Sequence, residues 1–228
     1  MGTGFFVHQR IASAVKRVEF VSDRVSYIVL RDRWCNIIVL NVHAPSEEKS
    51  DEAKDGFYEE LEEVFYHFRK YQMKILLGDF NAKVGRENVF KPTNGNESLH
   101  QHSNDNDVRI VTFATSKNLV VRGMMFPHRN FHKYTRTSPN GKTNNQNDHI
   151  LIDRRRRTNI LDVRSFTGAD CDTDHCLVDA KLRERLAVRK QAAQKFDGET
   201  FNLRKLNELG VKEKYQIDIR NRFAALDN

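Results

Sequence analysis

At 228 residues the chain has room for one ordinary domain with an appendage, or for two small domains. Its net charge of +7 favours polyanionic partners, nucleic acid first. Three scattered cysteines do not make a disulfide framework, and no stretch is long and apolar enough for a membrane span or a secretory leader, so a reducing nuclear or cytoplasmic setting is expected rather than secretion or a membrane. Residues 4 to 43 read as strands: VSYIVLRD and NIIVLNVHAP are rich in β-branched residues and close in polar or proline turns. Residues 52 to 71 read as a helix, with Phe57, Leu61, Val64, Phe65 and Phe68 on one face and glutamates mostly on the others.

The next stretch, KILLGDFNAKVG, is a short apolar run that stops at Gly78 and delivers Asp79 and Asn81 on either side of Phe80. Strand alternation would send the carboxylate and the amide to one side, with Gly78 letting the backbone turn, although an Asp/Asn pair is also an ordinary loop start. Residues 86 to 106 are polar and read as a loop. Asp107 is placed to cap a helix to about Asn118, with Val108, Val111 and Ala114 or Thr115 facing inward. Short strands are expected around Leu119–Met124, Phe131–Thr137, His149–Asp153, Ile160–Phe166 and Leu177–Leu182, with TSPNGKTNNQN as a connector. Many strands with two helices between them suggest a mixed α/β layered sandwich over residues 1–184. Residues 185–228 are highly charged and read as a basic helical extension or linker. CDTDHC lacks the paired spacing of a zinc site.

Chemistry-bearing residues gather at strand ends: His43 in NVHAP, Asp79 with Asn81, Asp148 in NDHILID, and Asp174 with His175 in DTDHCLV. A phosphate diester needs an activated water, positive charge on the developing anion and help at the leaving oxygen, and this set supplies such parts. Each residue also has a plain explanation as a turn residue or a satisfied polar group. The four arginines Arg154–Arg157 follow the Asp148 strand, either as a solvated turn or as a patch that steers a phosphate backbone without reading bases.

GDFN, a later Asp before HILID, and a closing DH before an apolar strand occur in the order that resembles the endonuclease/exonuclease/phosphatase family, which includes DNase I and the abasic-site endonucleases. The stretches YTRTSPNGKTNNQNDHILID, GADCDTDH and AAQKFDGETFNLRKLNELG are more narrowly similar to the endonuclease domain of LINE-type retrotransposons of the RTE clade, and the likeness covers nearly the whole chain. It implies a DNase I-like β-sandwich flanked by helices, DNA as partner, Mg2+ or Mn2+ as the ion, and no small-molecule cofactor. By that resemblance Asp79 orients and deprotonates the attacking water, Asn81 bonds a phosphate oxygen, and His175 contacts the scissile phosphate with Asp148 holding it. Asp174 joins Asp79 in binding the metal, and His43 contacts the phosphate or the leaving oxygen.

GTGFFVHQR is similar to the family strand that follows a metal-binding glutamate, so that glutamate and the first strand before it are expected to be missing and nicking impaired. Arg136 stands where relatives of this type have Trp, and Asn147 where they have Ile; Arg136 is placed to touch DNA, or both are drift. The competing function is a non-catalytic nucleic-acid-binding or interaction protein on the same scaffold.

Overall fold

The computed structural model describes residues 2–86, 93–138, 141, 143–166 and 173–188. A six-stranded sheet forms the centre. Its outer strand β1 (Val15–Phe20) is mostly exposed, as its charged residues require, whereas β2 (Val25–Leu30) is buried from Val25 to Val29. Strand β3 (Ile37–His43) pairs antiparallel with β2 and parallel with β4 (Met73–Asp79). A parallel pair needs a crossover, and helix α2 (Asp51–Tyr66) provides it. Ser50 caps that helix by accepting from the Ala53 N–H, and Asp51 and Glu52 favour its positive end.

The sheet continues to β8 (Asp148–Asp153), which runs antiparallel to β4 and to the short β5 (Leu119–Val121). Alternation sorts the strand residues between two cores. Tyr27, Leu40, Leu76 and Leu151 pack with Phe57, Leu61 and Phe65 of α2 and with Ile110 and Phe113 of α3 (Asp105–Ser116). Ile75, Ile150 and Ile152 pack with Ile160 and Val163 of a second, antiparallel sheet of β9 (Ile160–Phe166) and β10 (Leu177–Leu182). The expected mixed α/β sandwich with flanking helices is the architecture observed.

Several local expectations are corrected. Residues 2–8 form no strand, and Gln9–Ala12 make the short helix α1. Helix α2 ends at Tyr66, before Phe68. The cap of α3 is Asn104, whose side chain accepts from the Asp107 N–H; Asp107 lies inside the first turn, where its carboxylate accepts from the Gly85 N–H. Val108 is exposed, and Ile110 and Phe113 take the inward positions beside Val111 and Ala114. The expected strand at 131–137 shrinks to β6 (Arg136–Thr137), preceded by a helical turn at Asn130–His132, and the connector after it supplies β7 (Asn144–Asn145) to complete a hairpin. Strand β5 gives way to a helical turn after Val121. The expected helical extension lies, from residue 189 onward, outside the described residues.

Candidate active site

Strand register assembles the site. The parallel pairing sets His43 beside Asp79, and the antiparallel pairing sets Asp79 beside Asp148. His175 arrives from the segment entering β10, which is tied to β6 by the bridge between Arg136 and His175 and by the Cys176 N–H donating to the Thr135 carbonyl. One Asp79 carboxylate oxygen thus lies 4.0 Å from His43 Nδ1 and 4.0 Å from His175 Nε2, while His175 Nδ1 lies 3.5 Å from Asp148 Oδ2.

Gly78 is not the turn expected from the sequence. It stays in the strand at φ +138°, and a Cβ there would come within 1.9 Å of the Val42 carbonyl oxygen, so its role is to let β3 and β4 approach. The turn falls at Asn81, with φ +48°, after Phe80 has buried its ring completely. Alternation therefore does not carry past Asp79. Asn81 is fixed by its N–H donating to Asp79 Oδ1 at 2.8 Å and by Nδ2 donating to the Ala44 carbonyl at 2.9 Å. The buried Asn106 side chain donates to the Asn81 carbonyl at 3.1 Å.

The carboxylates differ in surroundings. Burial, reinforced by Asp148, raises the Asp79 pKa against the Asn81 N–H and the two histidines, which lower it. The Asp148 carboxylate holds the His175 imidazole above its usual value. Arg136 Nε donates to Asp174 at 2.7 Å and holds that carboxyl below the usual range. Asp174 therefore faces a guanidinium, with His175 3.8 Å away. The side chains that can converge on an ion among the described residues are Asp79, Asp148 and His175, with ligand atoms within 4.8 Å of one another.

Some contributors were not visible in the sequence. Thr135 Oγ1 accepts from the backbone N–H groups of Asn147 and Asp148, which fixes the start of β8. Arg24, in the turn after β1, donates to the His43 carbonyl and adds a cation at this end of the sheet. Asn147 is buried and its Oδ1 has no hydrogen-bond partner among the described residues. Arg154–Arg157 are not here: they form a helical turn after Asp153, at the opposite end of β8.

No family model matches the chain. Craniofacial development protein 2 from Tragulus javanicus is 28% identical over 197 residues, which is 86% of this chain and 34% of that protein, so the chain spans about a third of the relative's length. Among solved structures, the 3' phosphatase NExo from Neisseria bound to a product DNA hairpin superposes with a TM-score of 0.54 at 20% identity, over 75% of this chain and 72% of that one. The endonuclease domain of TRAS1, a telomere-specific non-LTR retrotransposon, gives 0.51 at 12% identity, over 71% and 64%. The fold is DNase I-like. At these identities the likeness is one of fold, and in the DNase I-like sheet of this chain the acidic cluster sits where β3, β4 and β8 bring their strand ends together.

Proposed function

We propose that the chain is a phosphodiester hydrolase acting on DNA with a divalent cation, of the retrotransposon nicking-endonuclease type, in the nucleus or cytoplasm. The convergence of Asp79, Asp148 and His175 carries this reading. The donor set suits a hard or borderline ion: two carboxylates and one imidazole fit Mn2+ at least as well as Mg2+, which prefers oxygen. Asp148 Oδ2 is buried and faces His175 Nδ1 at 3.5 Å, so the two groups bring a carboxylate and an imidazole to one point. Asp79, Asp148 and neutral His175 would hold the ion, which supplies positive charge to the phosphate.

The protein's own groups do the rest. Asp79, with its raised pKa, orients the attacking water and takes its proton. Asp148 orients the His175 ring, which is neutral while it holds the ion and is an imidazolium facing the phosphate only in the ion-free site. Asn81, locked by its turn, presents its amide to a phosphate oxygen, and His43 lies across Asp79 toward the leaving oxygen.

The non-catalytic reading rests on one observation: Arg136 pairs with Asp174 and subtracts a carboxylate from the cation set. Activity is accordingly expected to be weak. The test is nicking of supercoiled plasmid in Mn2+ and in Mg2+. Slow nicking, stopped by chelator and by Asp79→Ala and His175→Ala separately, is the expected result. DNA binding with no nicking in either metal would favour the non-catalytic reading.

A further inference from the structure

The end of the sheet away from the acidic cluster carries a second constellation, built on the arginine turn Arg154–Arg157. Three successive arginines of that turn each join a different loop. Arg154 N–H donates to the Asn118 carbonyl, next to Lys117. Arg155 donates to the Lys70 carbonyl at 2.8 Å, next to Tyr71. Arg156 reaches Cys35 Sγ at 3.7 Å, next to Trp34. Two of these loops present a large aromatic ring to solvent, Trp34 at 83% exposure and Tyr71 at 57%, and beside the third stands Tyr66 at the end of α2, 71% exposed.

Each ring also touches a cation. Arg33 lies 5.8 Å from the Trp34 ring centroid and Lys117 4.1 Å from that of Tyr66, while Arg69 donates to the Tyr71 hydroxyl at 3.3 Å. A cavity of about 510 Å3 opens between two of these loops, and Tyr66, Lys70, Lys117 and Arg155 are among its lining residues. Beneath it the buried Lys74 donates from Nζ to the Arg69 and Gln72 carbonyls and thereby shapes the loop that bears Lys70 and Tyr71.

Exposed rings interleaved with guanidinium and ammonium groups match one kind of ligand, a chain of phosphates whose bases are free to stack. Duplex DNA hides its base faces, and an acidic peptide has none to offer. We propose that this pole is a binding surface for single-stranded nucleic acid, separate from the acidic cluster and independent of whether that cluster cleaves. Bases would stack on Trp34 and Tyr71, with Tyr66 beyond, and the backbone would track Lys70, Arg155 and Arg157. The surface is sequence-tolerant, because every base has a face to stack and the cations read only phosphate.

Trp34 is the sole tryptophan of the chain, so its fluorescence reports on this pole directly. The full chain is titrated, in chelator so that nothing is cleaved, with oligothymidine, oligouridine, a DNA duplex and poly-glutamate. Saturable quenching by the two single strands is expected, with the stronger of them identifying DNA or RNA as the natural source. Tyr71→Ala is expected to weaken it about tenfold, as the loss of one stacked base does, and Lys70→Gln to flatten its salt dependence. Asp79→Ala and His175→Ala leave it unchanged. Absent quenching, equal quenching by duplex or poly-glutamate, or quenching lost in His175→Ala and kept in Tyr71→Ala would each overturn the proposal.

Discussion

The two ends of the strand pair β4/β8 differ in almost every physical respect. At one end the register of three strands presses Asp79 and Asp148 together, with His43 and His175 beside them. At the other, Asp153 accepts from the Lys74 N–H and has Lys74, Arg155 and Arg156 as its charged neighbours. Like charges crowded in partial burial are costly unless a cation or an imidazolium sits among them, so the first end is shaped for an ion and a phosphate. The second end has spread its cations over exposed loops, where they cost little and attract polyanions at long range. The +7 net charge thus says less than its distribution: the acidic cluster is local, and much of the basic surface lies away from it.

The strongest way to break the first end is through Gly78. Gly78→Ala places a methyl group against the Val42 carbonyl and demands a φ that side chains avoid, so β3 and β4 must separate. A loss of more than about 3 kcal/mol, or failure to fold, is expected in urea denaturation, because backbone atoms cannot yield as a flexible side chain can. Full stability would mean that the close approach of β3 to β4 is not what holds His43 beside Asp79.

Asn147→Ile changes the same end in the opposite direction. The buried Oδ1 lacks a partner among the described residues, so an apolar replacement should stabilise by about 1–3 kcal/mol. The urea midpoint should rise with no change in slope. A midpoint that stays or falls would mean that the amide is satisfied, for example by water.

A smaller effect separates the histidines. Burial, with Lys83 and His149 nearby, pushes the His100 imidazole down to about 4. A folded value below the unfolded one, about 6.5, means that the unfolded chain takes the proton first. Stability should therefore be intact above about pH 6.5 and decline between there and about 4, and His100→Gln should flatten that part of a denaturation-midpoint profile. An unchanged profile would mean that His100 takes no part in the decline. The smallest expected effect sharpens the contrast between the two ends: Arg155→Gln should leave plasmid nicking in Mn2+ within about twofold while weakening oligothymidine binding.

The sequence made much of this legible for identifiable reasons. The runs VSYIVL and IIVLNVH, the amphipathic face of α2 and the boundaries of β9 and β10 follow from alternation and helical spacing, which do not depend on distant neighbours. Asp79, Asp148, His175 and His43, which the structure brings together, stand out in the sequence as polar residues that interrupt apolar runs at strand ends. What was missed is tertiary. Nothing local says that Gly78 faces the Val42 carbonyl, that Thr135 holds the start of β8, or that Asn104 rather than Asp107 caps α3. The pairing of Arg136 with Asp174 joins residues 38 positions apart and changes the reading of the cation set. The arginine run follows the Asp148 strand in sequence, yet Asp148 begins β8 and the run follows its end, so a whole strand separates them in space.

The central claim is that Asp79, Asp148 and His175 form a cation site which Arg136 weakens by occupying Asp174. Titration of Mn2+ followed by electron paramagnetic resonance tests it without relying on turnover. A saturable site is predicted, lost in Asp79→Asn and tightened up to about fivefold in Arg136→Gln, since a partly exposed pair of this kind is worth about 0–1 kcal/mol. Mn2+ binding that survives Asp79→Asn and Asp148→Asn unchanged, or that Arg136→Gln weakens, would contradict the account.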